Sequence, residues 1–174
     1  MVAPPQAVAD AKVYLRIDGS DEDALLATLA GAAIGLCERF TGLALFSAER
    51  FDTIPASRSE WRRLPATPVS AITSVAKLDT AGATTALPVD AYAIDIDAAG
   101  DGWVRLVAPH PSGRLLVGYT AGLAADWPTL AEPLRRGVIR LAAYLHAHRD
   151  AADDAGPPAA VAALWRPYRR MRLA

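Results

Sequence analysis

Apolar residues recur at helical spacing in two separated parts of this chain, and in short interrupted runs between them. The first long helical pattern lies in SDEDALLATLAGAAIGLCERFTG, where Ser20 stands as an N-cap with Asp23 three residues on, Asp21 and Glu22 sit at the positive end of the dipole, and Gly42 supplies the stop. Leu25, Leu29, Ala32, Leu36 and Phe40 form its predicted stripe, while Ala30, Gly31, Ala33 and Gly35 keep the helix thin enough for close packing. A shorter helix is predicted in QAVADAKVYLRI, from Val8, Ala11 and Leu15 behind Pro4 and Pro5. The second long pattern, TLAEPLRRGVIRLAAYLHAHRD, aligns Leu130, Leu134, Val138, Leu141 and Leu145, with Thr129 and Glu132 as a capping box and Pro133 opening the regular part. Residues 20–41 and about 129–149 are therefore expected to pack as antiparallel helices through leucine-rich faces.

Between them, strands are predicted around residues 45–51, 72–78, 84–87, 92–96, 103–106 and 114–119. The connections are short, and DTAG at 79–82 and AAGDG at 98–102 carry the Gly and Asp that hairpin turns favour, so the strands should pair antiparallel. GYTAGLAADWP, where an apolar run enters a loop with spaced glycines before a helix, invites a phosphate-binding reading. That reading fails, because a dinucleotide fold needs a parallel βαβ unit and GxGxxG, and Gly118 and Gly122 are wrongly spaced for it. The loop reads instead as a connector that ends an edge strand, bends at Gly122 and turns back toward the first long helix. The expected class is α+β: a small helical bundle (1–44 and 120–150), an inserted antiparallel β region (45–119), and a linker with a C-terminal arm (151–174).

Length and composition fit one domain or two small ones, and a formal net charge of -1 argues against a general binder of nucleic acid or anionic membrane. The N-terminus lacks the basic-then-apolar pattern of a secretory signal, and the most apolar segment, 24–37, is shorter than the ~20 residues of a membrane span, so neither export nor membrane insertion is expected. A single cysteine, Cys37, excludes an intramolecular disulfide and fits a cytoplasmic origin. With no histidine or lysine beside it, Cys37 reads as a small buried apolar residue rather than a nucleophile.

Other constellations carry little chemistry. In HAHRD, His146 and Asp150 can share a helix face but His148 points about 200° away from His146, so the histidines read as complements of the helix C-terminus rather than metal ligands. Asp95, Asp97 and Asp101 surround a glycine-containing turn but lack a calcium-loop pattern and its closing glutamate. No GxSxG, Walker, HExxH or CxxC sequence occurs. No cofactor or metal is expected, and enzymatic activity is the weaker class.

Four ordered pieces carry a resemblance: AKVYLRIDGSDEDALLATLAGAAIGLCERFTGLAL, LPATPVSAITSVAKLDTAGATTALPVDAYAID, VGYTAGLAADWPTLAEPLRRGVIRLAAYLHAHRD and VAALWRPYRRMRL. Together they cover nearly the whole chain and resemble the head-tail connector, or adaptor, family of long-tailed phages, prophages and gene transfer agents. The resemblance implies a non-enzymatic structural protein of the particle neck, assembled in the bacterial cytoplasm. It also implies a homo-oligomeric ring of about a dozen copies joining the portal protein to a tail-side connector or stopper, around a channel whose DNA it meets only non-specifically. The family's portal attachment maps onto the C-terminal segment, here Trp165, Arg166, Tyr168, Arg169, Arg170 and Arg172. Aromatic and arginine residues suit such a role, and DAADDAGPP before them reads as a linker, so removing residues 159–174 should cost little folding stability. Two other readings remain open. Leu164, Trp165 and Tyr168 can instead pack on the chain's own helices, or RPYRRMR can contact nucleic acid. A small β-rich ligand-binding or hydrolase-like domain, with Trp103, His110 and Tyr119 around a pocket, is the alternative from another class.

Overall fold

A computed structural model describes residues 3–107, 113–148 and 156–170. The fold is α+β, and the chain divides into two compact units, Met1–Leu45 with Ala124–Ala174, and Phe46–Leu123.

The helical unit holds α1 (Pro5–Leu15), α2 (Asp23–Thr41), α3 (Glu132–Ala147) and α4 (Ala159–Trp165). α2 and α3 run antiparallel: Glu22, just before α2, meets His146 near the end of α3, while Trp165 touches both Phe40 at the end of α2 and Leu134 near the start of α3. α1 joins them through Lys12 Nζ to Asp23 Oδ1 at 2.6 Å, and Trp127 Nε1 donates to Asp10 Oδ2 at 2.8 Å. α2 is long and apolar enough to cross a membrane by length and composition, which corrects the expectation drawn from residues 24–37. Here its apolar face forms part of a helical core.

That face is not the predicted one. The buried positions are Leu26, Ala30, Ala33, Ile34, Cys37 and Thr41, whereas Leu25, Leu29, Leu36 and Phe40 are half-buried and Ala32 is exposed. The stripe is rotated by about one residue, or 100°. The physical reason is that Ala30, Ala33 and Cys37 are small, so the closest helical neighbours approach on their side. Two capping expectations also change. α2 begins at Asp23 with Glu22 at the N-cap position and no side-chain cap, so Ser20 does not fill it. Thr129 does not form a box with Glu132; its Oγ1 donates to Asp126 Oδ1 at 2.7 Å and its N–H donates to the same oxygen, a turn that precedes α3. Those bonds hold the Asp126 carboxyl below its usual range.

The β unit contains β1 (Ala48–Pro55), β2 (Arg62–Arg63), β3 (Val69–Leu78), β4 (Thr84–Ala86), β5 (Tyr92–Ile96), β6 (Gly102–Leu106) and β7 (Arg114–Ala121). A four-stranded sheet has the order β1-β7-β3-β4 and a three-stranded one β2-β6-β5, with antiparallel pairing throughout. The core is lined by Ile54, Leu64, Val75, Val104, Leu115 and Val117, with Tyr119 fully buried. β7 therefore lies between β1 and β3, not at an edge as the sequence suggested. Its alternation is blurred because Leu115, Val117, Gly118, Tyr119 and Ala121 are all buried. Gly118 is covered by the Phe51 ring, whose Cε1 would lie 2.9 Å from an added Cβ. Gly122, just past β7, is the bend expected of it: an added Cβ would stand 2.3 Å from the Phe46 carbonyl, so only glycine permits that approach.

Candidate functional site

The C-terminal segment is anchored from within. Gly156, Pro157 and Pro158 lead into α4, a seven-residue helix too short to be stable alone, which buries Val161 and Trp165. The Trp165 indole is completely buried, tilted against Phe40 with centroids 5.9 Å apart, and its Nε1 donates to Leu134 O at 3.4 Å. It fills a notch left by Gly137 of α3, where an added Cβ would lie 2.1 Å from Nε1 and 2.7 Å from Cε2. The absent side chain at 137 is thus the seat of the tryptophan. Helical spacing placed Leu134, Val138 and Leu141 correctly in the core, but nothing in the sequence marked Gly137 as a receptor.

Beyond Trp165 a single 3₁₀ turn, Arg166–Tyr168, leads along the end of α2. The Arg169 guanidinium lies 5.5 Å from the Phe40 centroid, and the Arg170 N–H donates to Thr41 O at 2.9 Å. That bond occupies a carbonyl at the negative end of the α2 dipole, where cationic side chains are also favoured. Arg166 and Arg169 are exposed, and Tyr168 and Arg170 half-buried. The structure therefore brings Trp165, Arg166, Tyr168, Arg169 and Arg170 together and divides them by position: Trp165 holds the segment down, while Arg166 and Arg169 are exposed. Arg172 lies outside the described residues. A cationic rim of this kind can offer paired N–H donors to carboxylates or carbonyl oxygens.

The remaining sequence candidates resolve into structural roles. His146 Nε2 is 3.0 Å from Glu22 Oε2, and His148 stacks on Tyr144 with centroids 4.1 Å apart while its Nδ1 donates to Tyr144 O. Asp150 and His110 lie outside the described residues. Asp97 organises the β5–β6 turn, accepting the Ala99 and Asp101 N–H groups on Oδ1 and the Trp103 indole N–H on Oδ2, while Asp101 pairs with Arg63 at 2.9 Å. Among the described residues no group of three or more His, Cys, Asp or Glu could hold a metal. Trp103 and Tyr119 sit in different sheets; the buried Tyr119 hydroxyl donates to Asp52 and accepts from Ala66 N–H at 3.2 Å. Burial, then the Asp52 bond, push that hydroxyl up to about 12. Cys37 is buried, and desolvation, aided by Glu38, pushes its thiol up to about 12, the opposite of what a nucleophile needs.

What fold and segment define together is an α+β chain whose prominent polar groups brace turns or face outward. Solved structures share its fold, with matches that cover the whole of this chain. A chain from the neck of an empty gene transfer agent (GTA) particle, computed with C6 symmetry, has TM-score 0.81 and 27% identity, covering 100% of this chain and 95% of that one. A chain from the virion of a native GTA particle has TM-score 0.77 and 29% identity, covering 100% and 95%. A chain from the neck of a native GTA particle, computed with C12 symmetry, has TM-score 0.74 and 27% identity, covering 100% and 94%. No protein-family model and no curated protein sequence matches the chain.

Proposed function

We propose that this chain is a structural head-tail connector, or adaptor, of a tailed phage or phage-like particle. Copies form a ring that joins the portal to the tail around the DNA channel. The observation that carries this reading is the likeness, over 100% of this chain, to neck and virion chains of GTA particles at 27–29% identity. The buried, protonated Cys37 and the turn-bracing roles of the aspartates fit a non-catalytic protein. Residues 151–174 serve as linker and portal-docking arm, with Trp165 as its inner anchor and Tyr168, Arg166, Arg169, Arg170 and Arg172 as its contact residues.

The test is co-sedimentation of the purified chain with portal rings. Replacing Arg166, Arg169 and Arg170 by alanine removes charge-assisted hydrogen bonds, each contributing about 1.5–3 kcal/mol when desolvated, and should abolish docking. The Arg169–Phe40 contact supplies about 0.5–1 kcal/mol and Arg170 is half-buried, so melting should fall as well, and is measured alongside docking so that the two losses are separated. Lysine at the same sites should rescue docking only in part, since it cannot form the paired fork. Wild-type docking by the triple-alanine protein would overturn the assignment of the arm.

A further inference from the structure

Among the described residues the two sheets of the β unit end in four edge strands, and they differ. β2 is two residues long, both arginines, and β4 is three residues long. Brevity and charge are common ways of closing an edge to further pairing. β1 and β5 are the long edges, eight and five residues, and belong to different sheets. The hydrogen-bond phase fixes which of their residues look outward. The Ala56 N–H donates to Gly113 O at 2.8 Å, which places Arg50, Asp52 and Ile54 in the pairs bonded to β7 and turns the backbone groups of Glu49, Phe51 and Thr53 away from it. The Asp97 N–H donates to Asp101 O at 3.0 Å, which likewise turns Tyr92, Ile94 and Ile96 to the open side of β5. Three of these outward positions carry large exposed apolar side chains: Phe51 at 58%, Ile94 at 46% and Ile96 at 40%.

We infer that β5 of one copy pairs antiparallel with β1 of the next, Phe51 opposite Ile94 and Arg50 opposite Asp95. The inference rests on the ring reading. In a cyclic ring, neighbours meet head to tail, so the contacting surfaces must be two different patches of one chain. β1 and β5 are such a pair. In this register Phe51 and Ile94 form a hydrogen-bonded aromatic–β-branched pair. Arg50 and Asp95 fall in the adjacent non-hydrogen-bonded pair, where side chains lie closer. Asp95 is exposed and its carboxylate makes no hydrogen bond or ion pair among the described residues, and the Arg50 Nε is buried without a partner. Neighbouring arrangements lose this match. Parallel pairing through Phe51 and Ile94 sets Asp52 against Asp95, as does an antiparallel slip by two residues one way, and the opposite slip leaves Asp95 facing Ala48. Like charges directly opposite destabilise a strand pair.

The test is charge exchange in the full chain, with and without portal rings, read by light scattering and negative-stain images. Arg50→Asp and Asp95→Arg should each lose the ring, and the double variant, with charges exchanged at every junction, should regain it. Independently of any folding effect at Arg50, Phe51→Cys and Ile94→Cys are placed within disulfide reach. An oxidised equimolar mixture of the two single variants should yield dimers and nothing larger, and a chain carrying both should yield a ladder, with the buried Cys37 taking no part. Self-linking of Ile94→Cys alone would mean that β5 pairs with itself and would overturn the inference. Rings formed by all charge variants, or a wild-type ring in which the cysteines never link, would overturn the edge pairing while leaving the ring intact. A wild-type chain that stays monomeric with and without portal rings would overturn the ring reading itself.

Discussion

Trp165 and Gly137 make a sharp test of how the C-terminal segment is held. Removing a fully buried tryptophan leaves a cavity that rigid helices only partly close, and such truncations cost about 3–5 kcal/mol. In a chain of this size each kcal/mol moves the midpoint by about 2–4 °C, so Trp165→Ala should lower melting of the helical unit by roughly 6–20 °C. Gly137→Ala should act through the same contact, because the added methyl would stand 2.1 Å from Nε1 and must expel the ring. In the Trp165→Ala background that methyl meets an empty notch. There the glycine-to-alanine change should stabilise by up to about 1 kcal/mol, the intrinsic helix preference of alanine over glycine. The sign of the Gly137 effect therefore reverses between backgrounds, a non-additivity expected of residues in contact. The assay is urea denaturation of the four proteins followed by helical circular dichroism. Additive losses, or a Trp165→Ala protein melting like wild type, would refute the argument. The same packing revises the expectation for the arm: removing residues 159–174 takes away Val161 and Trp165 and should destabilise the helical unit by several kcal/mol.

Further outcomes follow from the core and its titrating groups. Leu26→Asp puts an unpaired charge in the α2 core and should cost several kcal/mol by chemical denaturation, with Leu29→Asp costing clearly less; equal losses would restore the unrotated stripe. Burial disfavours the Cys37 thiolate and the Tyr119 phenolate, so above the pKa of each exposed group the unfolded chain releases protons that the folded chain keeps. Stability should then be full at neutral pH and fall from about pH 9 toward 12, whereas a flat profile across that range would contradict both burials. For the same reason Cys37 should resist maleimide in the native protein at pH 8 and react on unfolding.

What the sequence carried was mostly periodicity, and what it hid was mostly contact. The stretch from Ala24 to Gly42 announced a helix and its end, and the turns at 79–82 and 98–102 announced two hairpins, because backbone preferences are local. The rotation of the α2 face was not legible: leucine outweighs alanine on any hydrophobicity scale, while packing selects the side where backbones approach most closely. β7 looked like an edge because it comes last among the strands, yet pairing with β1 places it in the middle, a long-range choice invisible to a local window. Thr129 and Glu132 had the right spacing for a cap, but Asp126 offered the threonine a nearer partner. At the C-terminal segment the residue types pointed to an interface, and only the notch at Gly137 separates the buried Trp165 from the exposed Arg166 and Arg169.

The β unit leaves and rejoins the helical chain through neighbouring residues. The Ala124 N–H donates to Leu45 O at 3.1 Å, and β1 and β7 are already paired from Ala48 opposite Ala121. To the helices, everything between these positions is a single closed loop. Loop-closure entropy grows only logarithmically, about 0.6 kcal/mol for each doubling of length. A lineage could therefore lengthen the sheets, trim them, or replace them with another module whose ends lie equally close, without altering a helical core residue. The junction at Leu45 and Ala124 is in that sense a socket, where one helical scaffold can be fitted with different surfaces.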